Sequence, residues 1–204
     1  MLASHRNEKY LGGNRMLKIG IITGTTRDAR VNGQVADYIL EKAKAFESED
    51  VSVELVDIKD YDLPLFNGSM PPGMLNKQYE TEVERKWSEK IDSLDGFIFV
   101  TPEYNKSIPA ALKNAIDYLA SEFSNKAAGI VSYGSTLGVA ASFSLRPILA
   151  NLNTATVGPF AAFSLFTDFE EMSTFKPSEI HEPTVNSVIE TTIAWSKALK
   201  TIRE

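Results

Sequence analysis

Short apolar runs alternate along the chain with segments whose apolar residues recur at helical spacing. The apolar runs predict five strands, at 18–23, 51–56, 96–100, 126–132 and 154–158. The periodic segments predict five helices, at 31–46, 76–93, 109–120, 137–152 and about 184–202. Because the strands alternate with helices and are apolar enough to be covered on both faces, the pattern predicts a doubly wound α/β domain with a parallel sheet.

Polar loops follow three of the predicted strands, at 24–32, 101–107 and 133–138. In a doubly wound sheet, ligands bind outside the carboxyl ends of the strands, at the point where the strand order reverses. We therefore expect these three loops to form the ligand site. A turn-rich stretch at 57–73 and a segment at 167–183 are predicted to be ordinary loops.

Composition narrows the class of protein. With 204 residues the chain is most simply one domain, which we place at 16–204, after a polar and disordered leader at 1–15. A formal net charge of −6 argues against a nucleic-acid-binding surface. The absence of cysteine excludes disulfides, thiolate nucleophiles and cysteine-ligated metals. Because the chain shows neither a spanning apolar stretch nor a signal-peptide core, we expect a cytoplasmic protein that does not bind membranes.

The first loop has the chemistry of a phosphate site. Gly24 permits a tight turn, Thr25 and Thr26 offer hydroxyls, and Arg27 and Arg30 offer guanidinium groups beside the amides of a helix N-terminus. The loop matches neither the Walker pattern nor the glycine pattern of dinucleotide-binding domains, which argues against an ATPase and a Rossmann site. The alternative is a polar turn whose arginines face water.

The second loop suits a planar ligand with a polar tail. Pro102 restrains the backbone, Tyr104 offers a flat ring, and Asn105 offers an amide that both donates and accepts. Glu103 is a lone carboxylate here, so a metal site is weakly supported. In the alternative interpretation, Tyr104 packs on the protein surface and Asn105 caps the helix that starts near Ile108.

The third loop, with the sequence SYGSTLG, is built from small residues. Gly134 and Gly138 flank Ser135 and Thr136, and this arrangement lets a flat group approach the main chain. The alternative is an ordinary turn between a strand and a helix.

Together, these motifs carry a resemblance to a known family. The chain contains, in order, GTTRDAR, NGQVA, PEYNKSIPAALKNAIDYL, VSYGSTLG and LRPIL. This series resembles the NAD(P)H-dependent FMN reductases of the flavodoxin-like superfold, a family that includes azo-dye, quinone and chromate reductases. The resemblance covers nearly the whole chain, from about Lys18 to Leu199, and its most specific part is the PEYN stretch.

The resemblance implies a fold, a cofactor and its contacts. The fold would be a flavodoxin-like three-layer sandwich with a five-stranded parallel sheet in the order 2-1-3-4-5. The residues expected around the FMN phosphate are Thr25, Arg27, Arg30, Asn32 and Gln34. Those expected along the ribityl chain and the ring are Pro102, Glu103, Tyr104, Asn105 and Ser107, with Tyr133, Gly134 and Ser135 on the other side of the ring. Relatives often carry Gly-Gly where this chain has Gly134-Ser135, and Ser where it has Thr25.

The expected activity is the reduction of a small acceptor by NADPH or NADH through bound FMN, with ping-pong kinetics and no catalytic side chain. A quinone, an azo compound, free flavin or a metal oxyanion would fit as the acceptor. By resemblance, the protein would be a homodimer or homotetramer. Two other functions stay open: a flavodoxin-type electron carrier, and a flavin-binding protein that regulates a partner according to redox state.

Four further features have simpler interpretations. His181, in a late loop, is expected to be solvated, as is the acidic run at 168–171. Trp87 and Trp195 lie on predicted helices and are expected to be core or interface anchors.

Overall fold

The computed structural model describes residues 16–203, so the predicted disordered leader lies outside the described residues. Within this range the strands are β1 Leu17–Thr23, β2 Val51–Val56, β3 Gly96–Pro102, β4 Ala127–Gly134, β5 Ala155–Ser164, β6 Phe169–Glu170 and β7 Thr174–Phe175. The helices are α1 Asn32–Lys44, α2 Glu82–Asp92, α3 Ala110–Asp117, α4 Val139–Asn151 and α5 Glu182–Lys200.

Five of the strands form one parallel sheet in the order β2-β1-β3-β4-β5, which confirms the predicted order. One buried cluster joins the sheet to α2, α3 and α4, and a second joins it to α1 and α5. The molecule therefore has the predicted three layers. All residues of β3 and β4 are buried, as expected for central strands covered on both faces.

Helix α2 begins later than its sequence pattern predicts. The predicted start at Asn76 is wrong, because Asn76 and Lys77 have φ angles of 49° and 61°, in the left-handed region that ends helices. The helix instead starts after Thr81, whose hydroxyl accepts from the amide of Glu84 while the Glu84 carboxylate accepts from the amide of Thr81. This capping box fixes the start of α2.

Strand β5 is longer than predicted. The expected end at Gly158 is wrong, since the strand continues through Pro159 to Ser164. Opposite β4, Thr156 pairs with Ala128 and Phe160 pairs with Ile130, so β5 carries two extra residues at a bulge. A proline is tolerated here because β5 is the outer strand and needs amides on one side only.

The segment at 167–183 is more than a loop. Residues of β6 and β7 pair as an antiparallel hairpin, which apolar alternation did not reveal because each strand has two residues. Helix α5 follows the hairpin and packs against β5, β4 and β3.

Trp87 is fully buried and donates from Nε1 to the carbonyl of Ala115 at 2.7 Å, which confirms it as a core residue. Trp195 is 44% exposed on α5. Between residues 16 and 203, no helix has the length and apolar character needed to cross a membrane.

Candidate functional site

The three polar loops meet at one edge of the sheet. They follow β1, β3 and β4, which are neighbours in the sheet and run in the same direction. The first and second loops touch where the hydroxyls of Thr25 and Tyr104 lie 3.1 Å apart. The second and third loops touch where Thr136 donates to Glu103 at 3.1 Å. The geometry therefore joins all three loops into one surface.

The Asn32 side chain fixes the backbone of the first loop through two hydrogen bonds. Its Oδ1 accepts from the amide of Gly24 at 3.0 Å, and its Nδ2 donates to the carbonyl of Val100 at 2.9 Å. The side chain is completely buried, so both polar groups are used within the protein. Gly24 is needed here, because a Cβ would lie 2.8 Å from the Thr101 Cα and from the Val100 oxygen.

Arg30 also stabilises the first loop. Its guanidinium forms an ion pair with Asp57 and donates to the carbonyl of Thr25 at 2.8 Å. Asp57 accepts in addition from the Thr23 hydroxyl at 2.8 Å. The structure thus ties Arg30 to the end of β2, where it supports the backbone of the first loop.

Arg27 is the free cation of the loop. It is exposed, its guanidinium carbon lies 5.8 Å from the centre of the Tyr104 ring, and it has no ion pair within residues 16–203. The neighbouring N-terminus of α1 has no side-chain cap and no acidic residue in its first turn, as far as the described residues extend. Unsatisfied amides beside an unpaired guanidinium suit an anion such as a phosphate.

Gln34 contacts a different part of the molecule. Its Nε2 donates to the Ser173 carbonyl at 2.9 Å, and its Oε1 accepts from the Phe175 amide at 2.8 Å. The side chain therefore fastens the β6–β7 hairpin to α1. The structure does not bring its amide together with Arg27 or Thr25.

The second loop is a tight two-residue turn. Tyr104 and Ser107 exchange two backbone hydrogen bonds of 3.0 Å, and Asn105 and Lys106 between them have φ angles of 49° and 66°. Positive φ at both central positions is typical of a type I′ turn. The alternative in which Asn105 caps the next helix is wrong, because the N-cap of α3 is Pro109 and lacks a side-chain bond.

The Tyr104 ring is half-buried, whereas Asn105 is exposed at the tip of the turn. Pro102 lies just before the turn, at the buried end of β3, where it pairs in register with Tyr133. Ser107 donates to the Ser144 hydroxyl at 3.3 Å, which links the turn to α4. The ring and the tip of the turn are thus available to a ligand, while the flanking residues are anchored.

Glu103 joins the second loop to the third. Its carboxylate accepts from the Thr136 hydroxyl at 3.1 Å and from the Ala140 amide at 3.0 Å, and it pairs with Lys106 at 3.2 Å. Burial alone would raise its pKa, but these donors hold the pKa of Glu103 below its ordinary value. A Cβ on Gly134 would lie 3.3 Å from the Glu103 Cβ, so a residue without a side chain suits this junction.

The third loop presents a buried tyrosine and an exposed serine. The Tyr133 ring is buried, with its centre 5.8 Å from that of Phe169, and this burial raises the pKa of Tyr133. Gly134 is buried as well, whereas Ser135 is exposed at the tip. The open surface of this loop is therefore formed by Ser135, Thr136 and the apolar side chain of Leu137, which is 40% exposed.

The sequence interpretation of His181 and Asp168 as solvated is wrong. Asp168 is buried, accepts from the Ser164 amide at 2.7 Å, and lies 2.7 Å from Nε2 of His181. The edge of the Phe163 ring contacts the imidazole, with ring centres 4.9 Å apart. The partners are separated by a hairpin, so no spacing rule could have paired them. Glu170 and Glu171, in contrast, are exposed as expected.

In the part of the chain that the structure describes, no group of three or more His, Asp or Glu side chains could hold a metal ion. The site instead combines two exposed cations, Arg27 and Lys106, with hydroxyls, amides and the Tyr104 ring, a set that suits an organic phosphate with a planar part.

Comparison with known proteins gives a consistent result. A family model described as NADPH-dependent FMN reductase matches residues 17–168. An NAD(P)H-dependent FMN reductase from Nectria sp. is 36% identical over 146 residues, which are 71% of this chain and 73% of that protein. A quinone reductase from Pseudomonas putida is 30% identical over 147 residues, which are 69% of this chain and 73% of that protein.

Among solved structures, the flavoenzyme NAD(P)H:(acceptor) oxidoreductase from Paracoccus denitrificans superposes with a TM-score of 0.67. It is 19% identical, and the match covers 90% of this chain and 98% of that chain. At this identity the likeness concerns the fold alone, and it agrees with the observed sheet order.

Proposed function

This chain belongs to the NADPH-dependent FMN reductase family, and from that premise we propose that its three loops hold FMN while electrons pass from NAD(P)H to a small acceptor. The protein is an enzyme, a flavin-dependent oxidoreductase that uses NAD(P)H and FMN. The observation that carries the placement of the cofactor is Arg27, an unpaired guanidinium beside the uncapped N-terminus of α1.

The first loop supports a dianionic phosphate in three ways. The amides at the start of α1 supply hydrogen-bond donors, and the Arg27 guanidinium supplies a positive charge. The Thr25 hydroxyl, 3.1 Å from the Tyr104 hydroxyl, is the third polar group. Asn32 and Arg30 contribute through the shape of the loop, because their polar groups are bound within the protein. Gln34 contributes less directly, by holding the hairpin that packs beside α1.

The second and third loops support a flat ring. In this proposal the Tyr104 ring, the Asn105 amide and the backbone of Pro102 to Ser107 lie along the ribityl chain and one edge of the ring. Gly134 and Ser135 lie at the other edge, where small groups leave room for a planar system. FMN, when bound, supplies the redox chemistry that no side chain of this chain provides. The protein contributes binding, orientation and the exclusion of water.

In the overall reaction, NAD(P)H, a proton and a quinone give NAD(P)⁺ and a hydroquinone, a transfer of two electrons. The acceptor is a small molecule, and a quinone, an azo compound, free flavin or a metal oxyanion would each suit an open ring face. We further propose that the protein is a homodimer or homotetramer. We place the enzyme in the cytoplasm.

The test is anaerobic mixing of the FMN-loaded protein with NADPH. We expect the yellow absorbance of the flavin to bleach and then to return when a quinone is added. Retained colour after NADPH would contradict the reductase function and favour a flavodoxin-type electron carrier. Rapid bleaching followed by very slow transfer to every acceptor would instead favour a redox-sensing regulatory protein.

A further inference from the structure

The turn between Tyr104 and Ser107 contains an unexpected lysine. Lys106, at its second central position, has a φ of 66°, a conformation that favours glycine because an L side chain is strained there. Asn105, at the first position, is one of the few residues that adopt such angles readily. Backbone strain that places a long cationic side chain at a ligand site points to a role for that side chain.

The contacts of Lys106 place its ammonium at the junction of the second and third loops. Nζ donates to the Thr136 hydroxyl at 3.1 Å and lies 3.2 Å from Oε1 of Glu103. The Glu103 side chain is only 8% exposed, and its other oxygen accepts from the Ala140 amide at 3.0 Å. The Lys106 side chain is 70% exposed, so the remaining donor of the ammonium is available to a ligand.

The surrounding charges leave this edge of the sheet open to anions. Asp28 is paired with Lys59, and Asp57 is paired with Arg30, so the carboxylates near the first loop are neutralised. Arg27 has no ion pair in the described range. In a chain whose net charge is −6, the unpaired Arg27 guanidinium and the exposed Lys106 ammonium attract anions to this edge of the sheet rather than to the surface as a whole.

We propose that Lys106 is a specificity-determining residue that binds an anionic group of a substrate at the junction of the second and third loops. The inference rests on the proposed function, since it needs a substrate to enter beside the flavin. Two sources carry such a group: the phosphates of NAD(P)H, and an acidic substituent on the acceptor. In this proposal the Lys106 ammonium binds the anionic group from either source.

Naphthoquinone and naphthoquinone sulfonate form a matched acceptor pair that differs in one negative charge. We expect Lys106→Asn to lower the rate constant for the sulfonate about fivefold, the loss that corresponds to one exposed ion pair. Asparagine is chosen because it adopts the positive φ of this turn readily. The neutral quinone measures any general loss of activity in the same variant. The ratio of the two rate constants should therefore fall in Lys106→Asn, stay near the wild-type value in Lys106→Arg, and fall in the wild type when salt is added. Rapid mixing with NADPH tests the other source in the same variants.

Lys176→Gln is the matched control. Lys176 is 71% exposed and paired with Glu170, as Lys106 is with Glu103, but it lies on the loop after β7. A second measurement needs no turnover: naphthalene sulfonate, which is not reducible, should bind the wild type more tightly than Lys106→Asn when followed by the flavin spectrum.

Three outcomes would each overturn the role of Lys106. They are an equal loss of rate for the neutral and the anionic acceptor, an equal effect of Lys106→Asn and Lys176→Gln, and no effect of Lys106→Asn in either half-reaction. A wild-type protein that NADPH does not reduce would contradict the proposed function instead, and the naphthalene sulfonate titration would still decide whether Lys106 binds anions.

Discussion

At the scale of single residues, two arginines three positions apart have different environments. Arg30 is bound to Asp57 and to the Thr25 carbonyl, whereas the Arg27 guanidinium has no ion pair among the described residues and lies 5.8 Å from the centre of the Tyr104 ring. Their side-chain chemistry is identical, so the difference arises from which one the fold directs toward β2. The two residues therefore test separate contributions to cofactor binding.

We expect Arg27→Ala to weaken FMN binding about tenfold to a hundredfold, because a charge-assisted contact contributes about 1.5–3 kcal/mol. The free energy of unfolding of the cofactor-free protein should stay the same, since Arg27 is exposed. Equilibrium titration with FMN and urea denaturation measure the two quantities.

Arg30→Ala is the comparison variant. It should lower the free energy of unfolding as well as FMN affinity, because it leaves the part-buried Asp57 without its cation. Unchanged FMN affinity in Arg27→Ala would remove Arg27 from the site.

The residue types in the sequence predicted which loops form the ligand site. They could not predict which polar side chains of those loops form hydrogen bonds within the protein. Asn32 and Gln34 carry amides suited to a phosphate, yet their partners are Gly24, Val100 and the β6–β7 hairpin. Those partners lie up to 141 positions away along the chain, and only the folded sheet brings them together. The same holds for the buried pair of Asp168 and His181.

At the scale of elements, the apolar pattern located all five strands of the main sheet and their order followed from the resemblance. The errors occur where local backbone geometry overrides the pattern, at Asn76 and Lys77 before α2 and at Pro159 within β5. Periodicity reports which face of an element is buried and is insensitive to φ angles near its ends. Capping residues are the better guide, as Thr81 and Glu84 show for α2.

The capping box of α2 gives a prediction at this scale. Thr81→Ala should lower the free energy of unfolding by about 1 kcal/mol, because it removes the acceptor for the Glu84 amide. FMN affinity should not change, since α2 packs on the face of the sheet away from α1. Urea denaturation with and without FMN measures both, and a stability equal to that of the wild type would show that the cap contributes nothing.

At the scale of the whole molecule, the amino ends of the strands hold an ionisable group that the site does not use. Lys126 is buried beside β4, donates from Nζ to the carbonyl of Ile91 at 2.8 Å, and lies 5.4 Å from the centre of the Phe97 ring. Burial lowers the pKa of Lys126 to about 8, from 10.5. The folded protein therefore loses this proton at a lower pH than the unfolded chain does.

The sign of the resulting pH dependence follows directly. Between about pH 8 and about pH 10.5 the unfolded chain holds a proton that the folded protein has released, so the free energy of unfolding rises with pH in that window. Relative to Lys126→Met, which cannot titrate, the wild type should gain about 2 kcal/mol between about pH 7.5 and about pH 9.5. Tyrosines titrate in both proteins and cancel in the difference. A difference that stays constant across this window would contradict the lowered pKa.

Strand β5, the last strand of the sheet, has a consequence for behaviour at high concentration. An outer strand of ten residues with one unpaired edge would be a template onto which another chain could add a strand, the first step of edge-to-edge aggregation. Pro159 offers no amide, the two-residue bulge breaks the repeat, and Arg146 donates to the carbonyls of Val157 and Gly158. The middle of this edge therefore cannot form a regular ladder of hydrogen bonds with an incoming strand. The same bulge interrupts the pairing of β5 with β4.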